Sequence, residues 1–106
     1  MQILNKDDLE GVLKSNKKVY VQFSAGWCGP CKALSKYIDD NKSQLEDVVF
    51  CKVDVEKCDQ SLLSEHKVSS LPKSVLFLDQ QKIGEYLGFN PTKFADMVSL
   101  YTAGGL

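Results

Sequence analysis

The stretch Val19-Tyr20-Val21-Gln22-Phe23-Ser24-Ala25, continuing as Gly26-Trp27-Cys28-Gly29-Pro30-Cys31-Lys32, decides how this chain is read. Its first half is rich in β-branched and aromatic residues, the composition of a strand. Its second half holds two cysteines separated by two residues. A helical pattern then runs over about residues 31–45, with Leu34, Ile38 and Leu45 on its apolar stripe. The cysteine pair therefore falls where a strand ends and a helix begins.

Strand and helix signals alternate outward from this junction. Residues 48–55 (VVFCKVDV) form a second strong strand pattern, and residues 2–4 read as a short edge strand. Asn5 suits a helix N-cap, with Asp7 and Asp8 in the first turn and Leu9, Val12 and Leu13 on one face. Residues 61–66 form a short helix pattern. Residues 74–78 and 82–87 read as a hairpin joined by Asp79, Gln80 and Gln81. Asn90-Pro91 opens a last helix, whose apolar side is Phe94, Met97, Val98 and Tyr101. Residues 102–106 read as a frayed tail. Such alternation predicts an α/β fold, with helices covering both faces of a central sheet. The near-continuous apolar runs at 19–25 and 48–55 fit central strands covered on both sides. The 106 residues suit one domain, 1–106.

Composition narrows the function. The formal charge is −1, with acidic and basic residues mixed along the chain. It offers no field for nucleic-acid phosphates. No apolar run has membrane-spanning length. Residues 1–10 lack the long apolar core of a secretory signal. We therefore expect a cytoplasmic, reducing setting, in which the four cysteines point to catalysis or metal binding rather than a disulfide framework.

The residues of the cysteine motif each have a physical use. Two intervening residues on a helix's first turn bring the sulfurs within bonding range. The unpaired N–H groups and partial positive charge of a helix N-terminus favour a thiolate at Cys28. Pro30 has no N–H to leave unpaired and limits local motion. Gly29 lets a partner chain approach, and Trp27 supplies an apolar surface beside the sulfurs. Cys28, nearer the helix end, is expected to attack a substrate disulfide, and Cys31 to attack Cys28 in turn. A purely structural bridge is a poor alternative, because so short a loop removes little unfolded-state entropy. A zinc site would need Cys51 and Cys58 as a second pair, and their spacing does not fit. No metal is expected.

On these residues the chain resembles the thioredoxin family. The resemblance rests on WCGPCK, Phe23-Ser24-Ala25, Val53-Asp54-Val55, Leu71-Pro72 and Gly84-Glu85-Tyr86-Leu87-Gly88, and runs along nearly the whole chain. The segment VDVEKC, ending at Cys58, is similar to eukaryotic cytosolic members. The resemblance implies a mixed sheet of about five strands flanked by about four helices. It implies a monomeric protein-disulfide reductase with no bound cofactor beyond its own redox-active pair. Its partners would be disulfide-containing substrate proteins and an NADPH-dependent thioredoxin reductase. Cys28 carries over as nucleophile and Cys31 as resolving thiol. Pro72 matches the family's cis-proline, and Trp27, Gly29, Pro30, Leu71, Pro72, Gly88 and Phe89 would line the substrate groove.

The chain departs from the family at several places. Gln22 stands where thioredoxins carry a buried aspartate that helps take the proton from the resolving cysteine. On strand alternation it shares a face with Tyr20 and Ser24, and its amide cannot act as a base. Loss of a negative charge should lower the cysteine pKa values, at about 1.4 kcal/mol per unit. Loss of a base should slow release of the mixed disulfide by ~10-fold or more. The competing reading lets Gln22 bond its neighbours while solvent moves the proton. Lys52 sits at the family position whose side chain often faces that aspartate; without this partner it is expected either to snorkel to solvent or to sit near Cys31 with a lowered pKa. Lys73 replaces a threonine after the proline and is expected to place a charge at the groove, favouring acidic substrates. Lys36 replaces a kinking proline. Cys51 reads as an inert core residue and His66 as an exposed helix end; Cys58 reads as a quiet residue nearer the surface, with a regulatory oxidation role, implied by the resemblance to eukaryotic members, as the competing reading. A second reading of the whole chain is a binding module with incidental redox activity.

Overall fold

The computed structural model describes residues 2–104. The elements run α1 (Lys6–Ser15), β1 (Lys18–Ser24), α2 (Gly29–Asn41), β2 (Val48–Asp54), α3 (Gln60–Glu65), β3 (Lys73–Leu78), β4 (Gln81–Leu87) and α4 (Pro91–Gly104). The strands form one mixed sheet in the order β2-β1-β3-β4. β1 and β2 are parallel; β1–β3 and β3–β4 are antiparallel. Four helices flank it, two on each face.

Alternation along β1 divides the interior. Val19, Val21 and Phe23 point to one face, with Cys51 and Val53 from β2 and Val75 and Phe77 from β3. There they meet Leu9 and Val12 of α1 and Leu62 of α3. Tyr20 points to the other face, with Val48 and Leu76, and meets Leu34 and Ile38 of α2 and Phe94 and Tyr101 of α4. The Tyr101 hydroxyl donates to the Val19 carbonyl at 2.6 Å, which pins α4 onto β1.

The differences from the sequence reading are local. The expected edge strand at residues 2–4 is reduced to a single parallel bridge, Gln2 to Lys52, with the Ile3 N–H on the Lys52 carbonyl at 2.9 Å. The cap of α1 stops it from extending. Asn5 Oδ1 accepts from the Asp8 N–H at 2.8 Å, and Asp8 Oδ2 accepts from the Leu4 N–H at 3.0 Å. Helix α2 ends at Asn41 and tightens into a 3-10 turn over Lys42–Gln44, leaving Leu45 half-buried beyond it. The Asn41 side chain takes the Tyr37 carbonyl at 2.7 Å, a local competitor for the last turn. The hairpin turn is two residues, not three. Asp79 and Gln80 both have left-handed φ, 51° and 69°, as a type I′ turn requires. Gln81 already pairs with Leu78. The register then shifts so that Phe77 faces Lys82 and Leu76 faces Gly84, and the extra residue, Ile83, packs towards α4's side of the sheet. Thr102 to Gly104, expected to fray, continue α4; Gly105 and Leu106 lie outside the described residues.

Candidate active site

β1 delivers the chain to the site. After Ser24, the Cys28 N–H bonds the Ala25 carbonyl at 3.2 Å, and the turn ends with Cys28 as N-cap of α2. Pro30 occupies the first turn, where an N–H would have no helical partner. Cys28 and Cys31 are joined by a disulfide, with their Cα atoms 5.2 Å apart. Cys28 Sγ also accepts the Cys31 N–H at 3.2 Å. The capping role usually filled by a side-chain oxygen is here filled by sulfur, at the positive end of a 13-residue helix. That arrangement stabilises negative charge on Cys28 once the bond is broken.

The disulfide is nearly flush with the surface. Cys28 is 5% exposed and Cys31 2%, so the difference between them is small. They pack with Ala25, and with Val55 and Leu71 at the margin. Trp27 beside them is 70% exposed. A Cβ at Gly29 would meet nothing within 4 Å. This glycine is therefore not demanded by packing inside the chain, and the space over it is open to a partner.

The remaining groove candidates come from the far end of the fold. Leu71–Pro72 is a cis peptide bond. The Pro72 carbonyl accepts the Gly88 N–H at 2.8 Å. Gly88 has φ +81°, a conformation that suits glycine. The Phe89 ring lies 5.3 Å from that of Tyr37, so its side chain packs against α2.

Gln22 is buried, at 2% exposure, and touches the helix that carries the cysteines. Its Nε2 donates to the Cys31 carbonyl at 3.1 Å and lies 3.3 Å from Ser35 Oγ; the Ser35 hydroxyl is 3.4 Å from Gln22 Oε1. The amide cross-links β1 to the first two turns of α2. Sequence reading missed Ser35, although it lies four residues after Cys31 and so on the same helix face. Lys52 pairs with Gln22 across the β1–β2 ladder and is exposed, the snorkelling outcome. It lines an open cleft of ≈ 880 Å³ together with Cys31, Ser35, Asp39 and Asp54.

Two expectations are overturned. Lys73 places no charge at the groove. It is 6% exposed, and its Nζ donates to the carbonyls of His66 at 2.6 Å and Lys67 at 3.4 Å, and pairs with Glu85 at 3.2 Å. Strand alternation puts Lys73 on the same face as Val75 and Phe77, towards α3. This ammonium holds the Glu85 carboxyl below its usual range. His66 is half-buried, not exposed. Its ring lies 5.6 Å from that of Phe23 and 6.1 Å from that of Phe77, and burial lowers its pKa. Cys51 is buried and Cys58 partly so; burial raises the pKa of both thiols, which makes them less reactive than a free cysteine. Among the described residues, no three His, Cys, Asp or Glu side chains converge to hold a metal ion.

Comparisons with known proteins agree with this geometry. The thioredoxin family model matches residues 1–99. The thioredoxin of Callithrix jacchus is 39% identical over 94 residues, covering 87% of this chain and 89% of that protein. The thioredoxin of Mycoplasmoides gallisepticum is 38% identical over 89 residues, covering 84% and 88%. The crystal structure of oxidised mitochondrial thioredoxin 3 from Saccharomyces cerevisiae superposes with a TM-score of 0.86 at 31% identity, covering 93% of this chain and 92% of the yeast chain.

Proposed function

The chain belongs to the thioredoxin family, and from that premise we propose that it reduces disulfides in other proteins, with Cys28 as the attacking thiol and Cys31 as the resolving one. It is a thiol–disulfide oxidoreductase. The observation that carries the finer reading is the position of its disulfide, with Cys28 as the sulfur cap of α2 beside an exposed Trp27.

In the reduced protein, the Cys28 thiolate attacks one sulfur of a substrate disulfide. A Cys28–substrate bond forms and the first substrate thiolate leaves. Cys31 then loses its proton and attacks Cys28 Sγ. The second substrate thiol departs, and the Cys28–Cys31 bond closes. Two electrons have passed to the substrate. They are restored by a thioredoxin reductase drawing on NADPH, in the reducing, cytoplasmic setting that leaves Cys51 and Cys58 as free thiols. The protein works as a monomer with no bound cofactor. Substrate chains lie along the groove formed by Trp27, Gly29, Pro30, Leu71, Gly88 and Phe89; Pro72, expected to line it, is fully buried and supports the groove from beneath. Support comes from Leu71, which packs at the margin of the cysteine cluster and whose peptide groups bond no other described residue, as strand-like pairing with a substrate requires.

Gln22 alters the resolving step. It bonds the Cys31 carbonyl and Ser35, and an amide accepts no proton at neutral pH. The Cys31 proton therefore leaves to water or to the departing thiolate.

Insulin reduction, followed by turbidity with NADPH and a thioredoxin reductase, tests this reading. Wild type should turn over and Cys28→Ser should be inactive. Cys31→Ser should trap a mixed disulfide visible by mass spectrometry. Undiminished turnover in Cys28→Ser would remove the mechanism.

A further inference from the structure

Among the described residues Lys73 is the only buried lysine. An ammonium has three N–H donors, and here three acceptors surround it: the carbonyls of His66 and Lys67 and the carboxylate of Glu85. A buried cation without such partners would be costly, so these contacts form a fully satisfied clamp. The main chain of Lys73 is fixed in β3, paired with Phe23 on one side and Leu87 on the other. Its side chain thus reaches from the sheet back to the C-terminal end of α3. The chain between these two points closes into a loop of residues 66–73.

That loop includes part of the groove. Lys67, with φ 52°, and Val68 still bond carbonyls of α3, at Ser64 and Leu63. Ser69, Ser70 and Leu71 lie outside helix and strand and make no main-chain hydrogen bond to another described residue. The placement of Leu71 beside the cysteine cluster therefore rests on its own packing there, on the Gly88–Pro72 bond of 2.8 Å and on Lys73, whose ammonium ties the loop's C-terminal end to the His66 and Lys67 carbonyls at its start.

We propose that Lys73 is a positioning residue for protein substrates: its ammonium, bonded to His66, Lys67 and Glu85, holds the loop that presents the Leu71 backbone beside the Cys28–Cys31 disulfide. This rests on the reductase reading above and adds a determinant of substrate affinity to it. A protein substrate pairs along the loop and feels its position. A small disulfide meets only the sulfurs and does not.

Lys73→Met keeps the buried stem and removes the donors. Steady-state reduction of insulin and of the small aromatic disulfide DTNB should be compared, alongside titration of the Cys28 thiolate. We expect the insulin KM to rise by ~5-fold or more, the loss of about 1 kcal/mol of uniform binding. Insulin kcat, the DTNB rate and the thiolate titration should stay within about twofold. Glu85→Gln, at a more exposed partner, should move the insulin KM in the same sense by a smaller factor, and carries the test if Lys73→Met does not fold. An unchanged insulin KM in the folded variants, or a parallel loss on both substrates, would overturn the assignment. Failure of the wild type to reduce insulin at all would instead overturn the reductase reading.

Discussion

At Gln22 one side chain joins the two elements that build the site. An amide there donates to the Cys31 carbonyl and meets Ser35; a carboxylate would be shorter and acceptor-only. Gln22→Asp should therefore have two opposing effects. Release of the mixed disulfide at neutral pH should quicken by ~10-fold, because a desolvated carboxyl has its pKa raised towards the working range of a base. Stability should fall by about 1–3 kcal/mol, because the Cys31 carbonyl loses its amide donor and a charge is buried in the amide's place. The folded-state pKa of that aspartate is raised above its unfolded value of about 4, so the deficit should be small in acid and grow as pH rises through the interval between them. Rapid-quench trapping and urea titrations at several pH values read the two effects separately; an unchanged release rate would remove Gln22 from the resolving step. The burial of Gln22 was legible from alternation with Val21 and Phe23, but its contact to Ser35 required the packing of α2 on β1. The direction of Lys73 was also legible, since alternation groups it with Val75 and Phe77. The presence of a charge next to Pro72 concealed that grouping.

Among the elements, the β3–β4 hairpin carries the clearest backbone cost. Gln80 holds φ 69°, a region that disfavours any residue with a Cβ by about 1–2 kcal/mol. Gln80→Gly relieves that crowding and loses some of the gain to unfolded-state entropy. We expect a net gain of ~0.5–1 kcal/mol, seen as a higher urea midpoint with an unchanged slope. Elements with strong caps were readable: Asn5 and Asn90 both accept N–H groups from the helices they open. The boundaries of α2 and the hairpin were less so. A competing side chain at Asn41 and a one-residue register shift at Ile83 leave little trace in hydrophobic period.

In the whole molecule, the two faces of the sheet are held differently. The α1/α3 face is almost entirely apolar, Lys73 and its clamp aside. The α2/α4 face contains a buried hydroxyl cluster in which Tyr20 Oη donates to Ser74 Oγ at 2.7 Å and lies 3.0 Å from Tyr86 Oη. Burial holds both phenols above their ordinary range, so they stay neutral. The cluster ties β1, β3 and β4 together. Tyr20→Phe should cost about 1–3 kcal/mol by leaving Ser74 and Tyr86 under-bonded, while insulin turnover stays at the wild-type level. Thermal unfolding and the insulin assay together check this. The layered arrangement followed from alternating segments in the sequence. The hydroxyl cluster did not, because it unites residues up to 66 positions apart.

The sulfur cap of α2 has a consequence for how the molecule stores its two electrons. The Cys31 N–H faces Cys28 Sγ at 3.2 Å while the disulfide is closed, so the group that will solvate the thiolate is already in place. Little backbone has to rearrange when charge arrives. Oxidised and reduced forms should then share one outline, and a partner that tells them apart must sense the sulfur itself rather than the shape around it.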